Sequence, residues 1–457
     1  MNLAIKYLCV LIILVAGAAA AEPVRHADPS GQPNAVAQIS QRLLSDLFVM
    51  PVEKTVSITD NVLGTAVRGS VRTQGRVVPL LIPDTNRGVL HLRFSGTSSS
   101  PRMVGRNGPA TIFSSARTDA ELWKTVIFEE QGIRNLPTEG NVSTRLSING
   151  VAAKRRLVER IARKRASRSH ADAQAITSNH TKVRLGQEID HEAAKPLAKA
   201  QDNYINKVRN PLAARGALPK LMRFSTTSEH LRLVLQQCSR SQVPPPTSVP
   251  EIELQHDIGV ALHQSSVSSL CEVFYASRTL EDREILQIVH TVTGEDPRPL
   301  RIHSRTPRWS VTMADRQPLN VAFADGHASI GLHLKLLKHG ERRYDGAFHV
   351  SVRYHLEKTP GGPRLTRQGD VQIDGQTESG SPGELGEAIL VLRSKFSAVF
   401  APTLTFDGLA PPTGGGGIWD KIGQLKLAQL DAKDGWLIVG YQLPRRDVLV
   451  ASRGLKR

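Results

Sequence analysis

LNVAFADGHASIGLHLKLLKHGERRYDGAFHVSVRYHL, residues 319–356, carries the clearest hydropathy pattern in the chain. Leu319, Val321 and Phe323 alternate with small or polar residues. Ile330, Leu332, Leu334 and Leu336 do so again, and Phe348, Val350, Val352, Tyr354 and Leu356 follow. Residues two apart share one face of a strand, so this period predicts half-buried antiparallel strands. Asp325-Gly326 is the two-residue signature of a tight hairpin, and Tyr344-Asp345-Gly346 predicts a second turn. The outward residues are Ser329, Gly331, His333 and Lys335, then His349, Ser351, Arg353 and His355, which make a basic outer face.

The same alternation recurs nearer the N-terminus. Val67, Val71 and Val77 oppose Arg68, Ser70, Arg72, Gln74 and Arg76; Leu90, Leu92 and Phe94 oppose His91, Arg93 and Ser95. Residues 110–115 and 122–128 continue it beyond a break at Gly108-Pro109. Helices are expected over Ala35–Phe48, with Val36, Ile39, Leu43, Leu44 and Leu47 at helical spacing, and over Glu384–Phe400. Ile258–His263 reads as a strand running into a helix, with Ser265 or Ser266 as cap and Val267, Leu270, Val273 and Phe274 as apolar stripe. A further helix start falls at Thr279–Asp282, and the last two strands, Gly423–Leu430 and Gly435–Leu443, flank a turn at Asp431–Asp434. The middle, 151–217, is rich in alanine and charge; two long helices fit it, with a break near Pro196 and an end before Pro211.

The expected fold class is therefore α+β, with curved antiparallel sheets packed on amphipathic helices. Two related helix-plus-sheet units, 22–150 and 223–443, are joined by a basic helical segment, 151–222. Residues 1–21 precede them as a signal peptide, and a basic tail, 444–457, follows. Lys6, the apolar run Leu8–Ala21 and its closing alanines have the three parts of a secretory signal. The run is shorter than the roughly 20 apolar residues that span a bilayer. The protein is thus expected to be exported, periplasmic or extracellular. Cys238 and Cys271 are compatible with one disulfide or with two free thiols.

Lysine and arginine number 59 against 42 acidic residues, a formal charge of +17, which implies an anionic partner at long range. Aromatics at 5% are too few for stacking platforms, so neither nucleic acid nor an aromatic-platform carbohydrate is expected. Lys154–Arg168 is the densest basic stretch, opposed only by Glu159, with Leu157, Val158 and Ile161 as a narrow apolar stripe. Such a helix suits an anionic membrane surface, or it is a solvated helix docked by three aliphatics. Arg155, Arg156, Arg160, Arg163 and Lys164 are its candidate anion-binding residues.

No constellation for catalysis or metal binding emerges. His191-Glu192 lacks the second histidine of the zinc-protease motif, and residues 326–331 lie between strands, unlike a nucleophile elbow. Gly414–Gly417 lacks a phosphate loop's lysine and serine, and Asp370 and Asp374 lack calcium-loop spacing. His327, His333 and His339 share a strand face, but the first and second are about 20 Å apart at 3.3 Å per residue. His333 meets His349 or His355 only across strands, with no carboxylate in the pattern. No catalytic residue, cofactor or metal is assigned, and the expectation is a protein that is not an enzyme.

IGVALHQSSVSSLCEVFYA (Ile258–Ala276) resembles the strand-to-helix entry of tubular lipid-binding (TULIP-type) modules, the superfamily of the bactericidal permeability-increasing protein. LKLAQLDAKDGWLIVGYQL (Leu425–Leu443) resembles their long closing strands. The chain as a whole, with stretches such as DTNRGVLHLRFSG (Asp84–Gly96), is also similar to a family of large uncharacterised secreted bacterial proteins, which implies no function. The TULIP-type resemblance implies a long helix cradled by a strongly curved sheet, with an apolar slot for an acyl chain. The slot candidates are Val267, Leu270, Val273, Phe274, Phe323, Leu332, Leu334 and Phe348, each of which also fits plain core. The expected function is binding of a lipid or lipopolysaccharide-like amphiphile in the cell envelope. The alternative is an envelope scaffold that adheres to acidic polymers by charge.

Overall fold

A computed structural model of the chain describes residues 32–216, 218–238, 248–250, 252, 256–293, 296–302, 307–359, 362–378, 381–405 and 425–444. The expected signal peptide, most of the basic tail and Gly414–Gly417 lie outside them. In chain order the elements are β1 (Ala35–Ser40), α1 (Gln41–Phe48), β2 (Met50–Val62), β3 (Thr65–Leu81), β4 (Gly88–Asn107), β5 (Ala110–Glu129), β6 (Gly132–Asn135) and β7 (Glu139–Ala153). Helices α2 (Arg156–Arg168), α3 (His170–Tyr204) and α4 (Asn210–Ala213) follow, then β8 (Leu221–Thr226), β9 (His230–Gln236), β10 (Ile258–His263), α5 (Gln264–Tyr275), β11 (Thr279–Glu281) and α6 (Asp282–Thr293). The remainder is β12 (Trp309–Met313), β13 (Leu319–Ala324), β14 (His327–His339), β15 (Arg342–Thr359), β16 (Gly362–Arg367), β17 (Gln372–Thr377), α7 (Pro382–Val399), β18 (Thr403–Thr405), β19 (Lys426–Lys433) and β20 (Trp436–Gln442).

Two compact units result. The first comprises Gln41–Val208 and Arg223–Arg232; the second takes in β1, Arg209–Met222 and the chain from Leu233. The basic helical segment is therefore no separate joint: α2 and α3 belong to the same unit as the N-terminal sheet.

That sheet is antiparallel, in the order β2-β3-β4-β5-β6, with β7 also paired to β5. Its strands reach 20 residues, and the two segments read around residues 110–128 are one continuous strand, β5. The register slips between Gly69 and Arg72 on β3, between Ser100 and Met103 on β4, and between Phe113 and Ser114 on β5. Because Gly69 pairs with Met103, and Met103 with Ser114, the three irregularities stand side by side. Each adds bend and right-handed twist to its strand, so a row of them curls the whole sheet along one line. Gly75 and Gly96 face each other across β3 and β4, and the Phe94 ring lies over them, within 2.8 Å of where either Cβ would stand. Only glycine admits the ring there.

The second unit holds an eight-stranded antiparallel sheet, β11-β12-β14-β15-β16-β18, with β13 on β14 and β17 on β15. Ala388, Leu392 and Phe396 of α7 are buried in one core with Leu334, Phe348, Val350, Tyr354 and Ile373 from the sheet. Asp325 and Gly326, at φ 49° and 72°, make the expected tight hairpin between β13 and β14. In a second sheet β10 pairs with β1 on one side and β20 on the other.

Five local readings differ from the sequence. Ala35–Ser40 is a strand, not the first half of a helix: every residue of β1 is buried, and burial on both faces erases the alternation that marks a strand. Helix α3 runs through Pro196, whose neighbours Ala193, Leu197, Ala200 and Tyr204 are all buried; packing there outweighs a proline cost of about 3 kcal/mol. Pro211 sits in the first turn of α4, where its missing N–H is harmless. Tyr344-Asp345-Gly346 lies inside β15, and the turn falls instead at Gly340-Glu341, with Gly340 at φ 60°. Helix α5 is capped by His263, whose Nδ1 accepts from the Ser265 N–H at 3.2 Å.

Candidate functional site

A cavity of 620 Å³ lies in the first unit, between the concave face of the curled sheet and helices α2 and α3. The volume is that of a small-ligand pocket, roughly 300–1,000 Å³. On each strand the lining residues recur two apart: Val52, Val56, Ile58 and Val62 on β2, then Val67 and Val71 on β3. Phe94, Met103, Ile112, Leu146 and Ile148 extend the apolar wall across β4, β5 and β7. From the helices come Val158, Ile161 and Ala162 of α2, then Ala173, Thr177, Thr181, Leu185 and Ile189 of α3. The α3 set recurs every four residues, which aligns it along one face. Along β2 the lining runs from Val52 to Val62, about 33 Å of strand at 3.3 Å per residue.

Several hydroxyls of this wall are bonded within the protein. Thr73 and Ser98 share a hydroxyl hydrogen bond of 2.8 Å, and Thr118 and Thr144 one of 2.9 Å. The Ser100 hydroxyl donates to the Ser70 carbonyl at 2.6 Å, and that of Thr177 to the Ala173 carbonyl at 2.7 Å. Four charged side chains of the wall are paired as well. Lys54 pairs with Glu188, whose hydrogen bond holds the lysine above its ordinary value. Asp60 takes His180 Nδ1 at 2.9 Å and Arg184 at 3.4 Å. Arg165 also lines the cavity, and it lies on the same helix face as Val158, Ile161 and Ala162.

The five expected anion-binding residues all stand exposed, Arg155 at the N-cap of α2 and the others on the helix. Arg163 pairs with Glu159 at 2.9 Å. Helix α2 has no buried residue, and its apolar Leu157 and Ile161 are 69% and 59% exposed. A basic helix, with Leu157 outward and Ile161 exposed at the cavity wall, therefore roofs one part of an apolar cavity.

The eight slot residues expected from the sequence lie in the second unit, and none of them lines this cavity. Leu334 and Phe348 are in the α7 core, with Leu332 packed against it. Phe323 belongs to a smaller cluster with Ala328 and Ala432, onto which Val267 packs. Leu270, Val273 and Phe274 are half-buried on α5, with the Arg215 guanidinium 5.1 Å above the Phe274 ring. Cys238 and Cys271 are free thiols, and burial pushes Cys271 up to about 11. Among the described residues, no three histidine, cysteine or acidic side chains stand together as a metal site, and no helix is long and apolar enough to cross a membrane.

Neither a protein-family model nor a curated protein matches the chain. Among solved structures it is similar to a lipopolysaccharide binding protein, with 11% identity over 91% of this chain and 100% of that one, at a TM-score of 0.28. It is also similar to P47 of Clostridium botulinum E1 and P47 of Clostridium botulinum A2, each 8% identical over 91% of this chain, covering 100% and 99% of theirs, at TM-scores of 0.25 and 0.26.

Proposed function

We propose that this is an exported protein, not an enzyme, that carries a lipid or lipopolysaccharide-like amphiphile. The acyl portion lies in the cavity of the first unit, and an anionic head group meets Arg165 and the basic face of α2. The supporting observation is the wall itself: apolar side chains from five strands and two helices, with the hydroxyls of Thr73, Ser98, Ser100, Thr118 and Thr177 already bonded within the protein. An apolar guest leaves none of those groups unsatisfied, and its burial contributes about 25 cal/mol per Å². A polar guest would have to compete for bonds already made.

Solvent extraction of the purified protein, followed by mass spectrometry, tests this. A co-purifying amphiphile near one per chain is expected; an empty extract from folded protein that also takes up no fluorescent fatty acid would overturn it. The exposed cations of α2 favour a second reading, a scaffold adhering to acidic envelope polymers by charge. That reading predicts binding that fades steeply from low to physiological salt, as the Debye length shrinks to about 8 Å.

A further inference from the structure

We propose that His327 and His355, opposite each other on β14 and β15, chelate a divalent transition-metal ion of the kind imidazole prefers, zinc, nickel or copper. The two residues are direct register partners, with ring centroids 4.9 Å apart and planes inclined at 50°. Two imidazoles on one tetrahedral ion, each nitrogen about 2.0–2.1 Å from the metal, have centroids about 5 Å apart. The rings already stand at that separation.

The surroundings prepare the pair. Nδ1 of His327 lies 2.7 Å from the Asp325 carbonyl, which only accepts, so the proton sits on Nδ1 and the Nε2 lone pair is free. A second ring nitrogen tied to a carbonyl is the usual way a ligand histidine is oriented. Nδ1 of His355 is buried with no hydrogen-bond partner, so no competing bond ties that ring to the fold. The hairpin holds the geometry: Asp325 and Gly326 form its tight end, and the Leu356 N–H donates to the Gly326 carbonyl at 2.9 Å. No third protein ligand stands close among the described residues, so water completes the coordination and the site stays open.

The neighbouring pair, His333 and His349, has centroids at 4.7 Å but a different chemistry. Asn320 Nδ2 lies 3.2 Å from His333 Nε2, and an amide N–H donating there occupies that lone pair. This pair is the internal control.

Calorimetric titration of the full chain with Zn²⁺, Ni²⁺ and Cu²⁺ in a non-coordinating buffer tests the site. Wild type and the double variant His333→Ala/His349→Ala are expected to share one saturable site per chain. His327→Ala and His355→Gln should each weaken it by at least about tenfold, the scale on which ligand-shell changes act, with unchanged circular dichroism. His327, half-buried at the first position of β14 beside the hairpin turn, keeps the test decisive if the His355 variant fails to fold. Retention of full affinity in His327→Ala, loss confined to the control variant, or no saturable binding by wild type would each overturn the proposal.

Discussion

Lys124 shows at the scale of one residue what the alternation of β5 conceals. It occupies an inward position between Leu122 and Val126, and its side chain is only 4% exposed. The ammonium donates to the Leu136 carbonyl at 3.0 Å and to Asp190 of α3 at 2.7 Å. Asp190→Asn would strand a buried cation, and a loss of about 3 kcal/mol in urea unfolding is expected. Burial pushes the Asp190 carboxyl up, but hydrogen bonds from Lys124 and Thr138 outweigh it and hold the group below the ordinary carboxylate range. A depressed carboxylate stabilises the fold above its unfolded value of about 3.9, and that stability drains away as pH falls through the folded value. The wild-type unfolding midpoint should therefore fall more than the variant's below pH 4. Parallel acid profiles would show that the pair is idle. The sequence marks Lys124 as a breach of alternation, yet its partner is 66 residues away, and no local pattern joins the two.

Among elements, α3 decides whether the cavity exists. Its cavity face, Ala173, Thr177, Thr181, Leu185 and Ile189, holds only two strongly apolar residues beside an alanine and two threonines, so it reads as ordinary solvated helix. The strands opposite were legible, because Val67, Val71 and Phe94 alternate with charge. The helix's docking was not, since it depends on bulges at Gly69–Arg72 and Ser100–Met103 that bend the sheet around it. Only pairing register exposes those, and it involves residues up to 34 positions apart along the chain. The hairpin at Asp325-Gly326 was legible for the opposite reason: its backbone demand is met within two residues. Thr177→Trp places an indole in the cavity from the middle of the α3 stripe. Amphiphile per chain should drop several-fold while far-ultraviolet circular dichroism is kept. An unchanged load would place the guest elsewhere.

For the whole molecule, the net charge of +17 sets a long-range attraction, and α2 concentrates it beside the exposed Leu157. Replacing Arg156, Arg160, Arg163 and Lys164 with glutamine removes four cations, each contributing about 1 kcal/mol near an anionic surface. Binding to vesicles rich in anionic lipid, measured by sedimentation, should weaken by about a thousandfold at low salt, while acyl uptake in detergent persists. Equal vesicle binding by the variant would assign the attraction to another face.

Helix α3 also bears on what becomes of the molecule when it is damaged. Ser178 and Gln174 accept from the N–H groups of Thr144 and Leu146 at 3.0 and 3.3 Å, and His170 meets the Leu146 carbonyl at 2.7 Å. On β2, the outer strand at the other end of the sheet, Lys54 and Asp60 are tied to Glu188, His180 and Arg184 of the same helix. One helix thus occupies backbone groups of β7 that would otherwise be open to any passing chain, and it holds β2 through side chains. A lesion that loosens α3 would do more than empty a cavity. It would uncover backbone on β7 that intermolecular strand addition can use, so loosening the helix is expected to raise aggregation as well as empty the cavity.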